Sequence, residues 1–206
     1  MSDCGCKIEN AGAGERRLLL VLLGINAVMF GVELAAGIAA DSAGLLADSL
    51  DMLADATVYG IALAAVGRTA STKARAAVLS GYFQIGLAVW AAAEVLRRFL
   101  WGSEPRSTWM IVIGALALAA NVACLALLAK HRKGEIHLRA SFIFSTNDVL
   151  ANLGVILGGL LVAATGSPLP DLAIGAAVVA LVLRGGLRIV QDASRERDLS
   201  PEESGA

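Results

Sequence analysis

Six apolar runs, each long enough to cross a membrane as a helix, constrain this 206-residue chain more than any other feature. They are Leu18–Ala40, Ala43–Val66, Ala77–Leu96, Trp109–Ala129, Phe142–Ala164 and Leu172–Val190. A helix needs about 20 predominantly apolar residues to span ~30 Å of hydrocarbon. Within that layer every backbone amide must find its partner inside the protein, which a helix achieves within one segment. Pro105, Pro168, Pro170 and Pro201 all fall outside the runs, as uninterrupted helices require. Hydrophobic residues make up 57% of the chain, more than an ordinary soluble domain carries, so the surplus must face something other than water. The expected fold class is an all-α integral membrane bundle of six transmembrane helices.

The placement of basic residues suggests how such a bundle would sit. With the N-terminus inside, fourteen of the 17 Lys and Arg residues collect on one side, leaving only Arg97, Arg98 and Arg106 on the other. The positive-inside rule then puts both termini in the cytoplasm, and the expected location is the cytoplasmic (inner) membrane of a bacterium. The first run follows Glu15, Arg16 and Arg17 and exceeds the length of a signal-peptide core, so it reads as a retained helix. The expected organisation is a flexible cytoplasmic segment over 1–15, a transmembrane domain over 16–191 and a disordered polar end over 192–206. Trp101 and Trp109 bracket the third connection, where indoles meet the membrane interface. Cys4 and Cys6 form a Cys-x-Cys pair that a reducing compartment would keep as thiols, only half of a tetrahedral metal site. His131 and His137 lie among Lys and Arg and read as a solvated connection.

Against this apolar background the acids stand out. An ionisable side chain in the hydrocarbon costs at least ~2.5–3.5 kcal/mol on insertion scales, so each one calls for a reason. The second run holds Asp48, Asp51 and Asp55; at about 100° per residue all three fall on one helix face. The fifth run places Asn147, Asp148 and Asn152 at comparable depth, with Asp148 and Asn152 on a shared face. Neighbouring carboxylates repel unless a proton or another cation sits among them. No Lys or Arg lies near the middle of any run to neutralise them, which argues against a structural salt-bridge network. Asn26 and Glu33, seven apart on the first run, face either this cluster or the third helix. Gln84 and Asn121 read as interhelical hydrogen bonds, and Glu94 as a local partner of Arg97 and Arg98.

The stretch from Leu45 to Asp55, Leu-Leu-Ala-Asp-Ser-Leu-Asp-Met-Leu-Ala-Asp, resembles the second-helix signature of cation diffusion facilitators. The stretch from Asn147 to Ile156 is similar to the fifth-helix signature of the same family. The resemblance covers all six runs and implies a cation-efflux-type bundle in a short form, without the cytoplasmic C-terminal domain of many members. Carried over, Asp51, Asp55 and Asp148 match three positions of a four-ligand transport site. The fourth, four residues before Asp148, is Phe144, whose ring cannot ligate, so the site is three-coordinate from protein, keeps a water, or recruits an amide oxygen such as that of Asn152 or Asn147. The resemblance implies export of a divalent cation in exchange for protons. Zn²⁺ leads, with Co²⁺, Ni²⁺, Cd²⁺, Mn²⁺ and Fe²⁺ also admitted, since an all-oxygen ligand set weakens the preference for zinc.

The metal is cargo, so no permanently bound cofactor is expected, and no enzymatic activity. The expected partners are membrane lipid, metal ions, protons and a second copy bound through the membrane helices, with no nucleic acid. Two other readings remain. One is a membrane enzyme holding Mg²⁺ against a phosphorylated lipid; it resembles CDP-alcohol phosphotransferases or membrane prenyltransferases in its aspartates. It lacks the Asp-Gly and Ala-Arg elements of the first and has Ala151 where the second needs Asp. The other is a metal-binding accessory protein without flux of its own.

Overall fold

The computed structural model describes residues 4–65, 70–131 and 136–198, and every element in them is an α-helix. In chain order these are α1 (Cys4–Ala39), α2 (Ala43–Ala65), α3 (Ala70–Trp101), α4 (Ser107–His131), α5 (Ile136–Thr165) and α6 (Leu169–Asp198). Each carries one of the six apolar runs, Ala40 of the first falling in the turn after α1 and Val66 of the second outside the described residues. Helix also reaches into both segments expected to lack regular structure, beginning at Cys4 and ending at Asp198. At the second end, no proline stands between Pro170 and Pro201 to stop it. Pro170 itself lies inside the first turn of α6, where its missing N–H would have had no intrahelical partner anyway. The side chains of Cys4, Cys6, His131, His137 and Phe144 lie outside the described residues.

Five of the helices are long and apolar enough to cross a membrane: Arg16–Ala39, Ala77–Trp101, Ser107–Ala129, Thr146–Thr165 and Leu169–Asp192. At most 39% of the most apolar stretch in any of these is buried in the bundle, so the greater part faces outward. That outer surface carries Val28, Ile38, Leu79, Trp90, Val112 and Leu157, as a lipid-facing surface should. The sixth helix, α2, carries three aspartates, and the other five shelter it: α2 touches each of α1, α3, α4, α5 and α6. Residues 42–50 along it are buried without interruption. The helix least suited to lipid therefore meets the least of it.

Around α2 the bundle divides. Helices α1, α4 and α5 pack on one side, with α4 against both α1 and α5, while α3 and α6 pair along the other. The α3–α6 crossing needs two glycines. A Cβ on Gly81 would come within 2.6 Å of Val190 Cγ2 and 3.0 Å of the Gly186 carbonyl, and one on Gly186 within 3.0 Å of the Gly81 carbonyl. Such contacts let two backbones approach closely, the usual basis of helix association in membranes. Gln84 Nε2 donates to the Val182 carbonyl at 3.2 Å across the same seam, the interhelical bond expected of it.

One end of the bundle is laced together. Ser42 caps α2, its Oγ accepting from Leu45 N–H at 3.1 Å. Asp41 takes the left-handed backbone conformation (φ 51°) that turns the chain from α1 into α2. Its carboxylate pairs with Arg98 Nη1 at 2.7 Å and accepts from Glu104 N–H at 2.8 Å. Arg98 also donates from Nε to Glu94 at 3.0 Å, as the local pairing predicts. Arg106 N–H reaches the Ala40 carbonyl at 2.9 Å. The close packing of α3 on α6 leaves no room for side chains, so Gly186→Val should destabilise the folded protein by about 1–3 kcal/mol. Thermal unfolding in detergent will show it, with Gly86→Ala, whose added methyl meets nothing within 4 Å, as a near-neutral comparison.

Candidate cation site

The acids of α2 form a column, because positions 48, 51 and 55 recur on one face of a helix. Asp48 is 1% exposed and Asp148 7%, whereas Asp51 and Asp55 are half-buried, so the column is deepest at its Asp48 end. Helix α5 brings Asp148 within hydrogen-bonding reach of both Asp51 and Asp55. The two helices thus converge as the sequence predicts, and three of the candidate ligands meet.

The other candidates occupy an adjoining layer. Asn121 Nδ2 on α4 donates to Asn152 Oδ1 at 3.0 Å, and Asn152 Nδ2 donates to Asp48 Oδ2 at 2.6 Å. Asp48 in turn neighbours Glu33 of α1. A chain Asn121–Asn152–Asp48–Glu33 therefore crosses α4, α5, α2 and α1. Among the described residues, neither oxygen of the fully buried Glu33 carboxyl has a hydrogen-bond donor, because its neighbour is another carboxyl. Asn147 is half-buried one position before Asp148 and stands on a different face of α5.

Sequence reasoning left Glu33 between two orientations, and the structure turns it to the acids. Asn121, read as interhelical glue, is that, but its bond ends on the same polar chain. Tyr59 and Cys124, which drew no attention in the sequence, lie beside Asp55. The signal for Tyr59 was present, since position 59 continues the 51, 55 stripe by one more turn. Asn26 of α1 meets Cys124: its Nδ2 donates to its own helix at Leu22 O (2.9 Å) and approaches Cys124 Sγ at 4.0 Å.

Electrostatically the cluster is one-sided. Ion pairs among the described residues involve Arg97 and Arg98, both at the laced end of the bundle, and none reaches the acid column. Among the described residues, no three His, Cys, Asp or Glu side chains yet surround one point as a finished metal cage. The carboxyls stand as neighbours without enclosing a common point.

The chain from residue 19 to residue 196 matches the cation efflux transmembrane domain, which takes in all six helices and both halves of the acid cluster. The chain belongs to the cation efflux family. Similar curated proteins include the cadmium, cobalt and zinc/H(+)-K(+) antiporter of Bacillus velezensis, 30% identical over 119 residues, covering 57% of this chain and 38% of that protein. The metal cation efflux system protein CzcD of Cupriavidus metallidurans is 26% identical over 182 residues, 82% of this chain and 58% of its own length. The zinc transporter ZitB of Yersinia pseudotuberculosis is 28% identical over 111 residues, 53% and 35% respectively. The chain thus spans less than two thirds of the length of each of these relatives. As a cation efflux domain, it has an all-α membrane bundle as its scaffold and oxygen-bearing side chains at its centre.

The amide link between α4 and α5 gives a quantitative check. A double-mutant cycle with Asn121→Ala and Asn152→Ala, followed by unfolding in mixed detergent, should return a coupling energy of about 0.6 kcal/mol, the average for hydrogen bonds between membrane helices. A coupling indistinguishable from zero would mean the two amides do not act together.

Proposed function

We propose that this protein carries a divalent metal cation across the membrane in exchange for protons, with Asp51, Asp55 and Asp148 as the ligands that touch the ion. The observation that carries the reading is the meeting of these three carboxyls, from two helices, in a bundle interior without a basic partner among the described residues. The cation efflux family supports it, as do the names of two relatives that specify zinc, one of them with cadmium and cobalt, and of a third that specifies metal cation efflux. Carboxyls taken from water favour their protonated form, and a divalent cation favours the ionised one. One set of groups cannot hold both, which couples metal to proton.

Asp48 and Asn152 hold the next layer, and Asn147 or a water supplies the oxygen that position 144 does not. Zn²⁺ is the first cargo to test, with Co²⁺, Ni²⁺, Cd²⁺, Mn²⁺ and Fe²⁺ beside it, because oxygen donors discriminate weakly among these ions. The protein sits in a bacterial inner membrane with its termini and the basic ends of its helices in the cytoplasm, and membership of the efflux family supports export as the direction. A second copy joined through the membrane helices belongs to the same proposal, docking on part of the apolar surface that lipid would otherwise cover.

Reconstituted in liposomes with a pH-sensitive dye inside, the protein should move protons when Zn²⁺ or Co²⁺ is added outside. Asp51→Ala and Asp148→Ala should each abolish the signal; if both variants transport normally, the ligand assignment fails. Metal binding by the solubilised protein should weaken as pH falls, since protons compete for the same oxygens. Calorimetry in two buffers of different ionisation enthalpy will count the protons released per ion. Phe144→His should shift selectivity toward Zn²⁺ over Mn²⁺ by supplying an imidazole. An unchanged rank order would place residue 144 away from the ion.

A further inference from the structure

Asp171, in the first turn of α6, is fully buried, yet it belongs to neither the acid column nor the polar chain beside it. Its carboxylate is spent on another helix. Oδ1 accepts from Ser42 Oγ–H at 2.7 Å and from Gly44 N–H at 3.0 Å, while Oδ2 accepts from Ala43 N–H at 2.6 Å. These donors are the cap and the first free amides of α2, where the helix dipole also favours a negative charge. Backbone fit enforces the contact: a Cβ on Gly175 would meet Ala43 at 3.0 Å, and one on Gly44 would meet Asp171 Oδ1 at 3.0 Å.

Around this joint the Asp41–Arg98 pair and the Glu104 and Arg106 amides tie the α1–α2 turn to α3 and to the segment before α4. Burial follows the same polarity along α2. Residues 42–50 are buried throughout, whereas Asp51, Asp55, Thr57, Val58 and positions 60–63 are partly open. The acid column is thus sealed at the Asp171 end and more accessible toward the other.

We propose that Asp171 is the latch of the cation path: its grip on Ser42, Ala43 and Gly44 closes the bundle at the end away from the basic side, and its release opens the column there. The proposal rests on the reading of α2 and α5 as the ion-carrying helices. Asp171 touches no ion in this scheme; it is a positioning residue that acts through α2. Because α2 carries three of the acids, loosening its first turn exposes the column without altering any ligand. Asp171→Asn retains the shape but has one acceptor oxygen for three donors, and Asp171→Ala has none.

The test uses the full chain in membrane vesicles with Ser49→Cys as reporter. Ser49 is fully buried one position from Asp48, and the change is nearly isosteric. A membrane-impermeant maleimide is applied from the side of the α1–α2 turn, and labelling at position 49 is located by mass spectrometry, which separates it from the native cysteines. With Asp171 present, position 49 should label slowly. With Asp171→Asn it should label at least about tenfold faster, the change in an opening equilibrium expected from losing one hydrogen bond to a charged acceptor.

Zn²⁺ binding by the same variant should match the parent, which shows that the change is not unfolding, while Zn²⁺-driven proton flux should fall. Hydrogen exchange at Ala43 and Gly44 should rise in parallel. Unchanged labelling and exchange in both Asp171→Asn and Asp171→Ala would overturn the latch. Normal Zn²⁺-driven proton flux in both Asp51→Ala and Asp148→Ala would instead overturn the ligand assignment on which the latch rests, so the two failures are told apart.

Discussion

The cost of holding a carboxyl away from water organises this molecule. On insertion scales it is at least ~2.5 kcal/mol per group at the membrane centre, and α2 brings three such groups into the bundle. Helices α1, α3, α4, α5 and α6 all pack on α2. Their own polar residues are few and turned inward: Glu33 to Asp48, Asp148 to Asp51 and Asp55, and Asn121 through Asn152 to Asp48. The outer faces are left to apolar side chains. Architecture and chemistry thus share a cause, since the same grouping that removes the acids from lipid brings them to one another.

Much of this could be read before the structure. The six spans follow from apolar length and proline position, and helix boundaries differ chiefly where helices project beyond the hydrocarbon. Asp48, Asp51 and Asp55 were bound to share a face once α2 was a helix, because local geometry decides that. The convergence of Asp148 on them needed tertiary contacts, and resemblance to a family supplied what periodicity could not. Asp171 shows where the sequence falls silent. An acid between prolines and an apolar run reads as a helix-start residue of its own helix. Its partners, Ser42, Ala43 and Gly44, lie 127–129 positions away, and no local pattern links them.

The division of the bundle bears on how a cation could be handed from one side to the other. Both principal acid-bearing helices, α2 and α5, touch α6, while α3, among the described residues, reaches α6 and α2 but not α5. The Gly81–Gly186 crossing locks α3 to α6 over a close backbone contact. Movement between the α3–α6 pair and the remaining helices would therefore be felt by both acid-bearing helices, by α2 through α3 and α6 and by α5 through α6. Packed helices that shift as bodies are a common way for a small local change to become a large one.

The sheltering of α2 also has a consequence for how the protein is made. Helices leave the ribosome in order, so α2 must wait at the membrane with three acids before most of its cover exists. Helix α1 arrives before it, but α6, which supplies Asp171 for its first turn and a large part of its shelter, is the last of the six to emerge. Until then the amides of Ala43 and Gly44 lack the carboxylate that will hold them. The joint that holds the first turn of α2 can therefore close only when the last of the six helices has arrived.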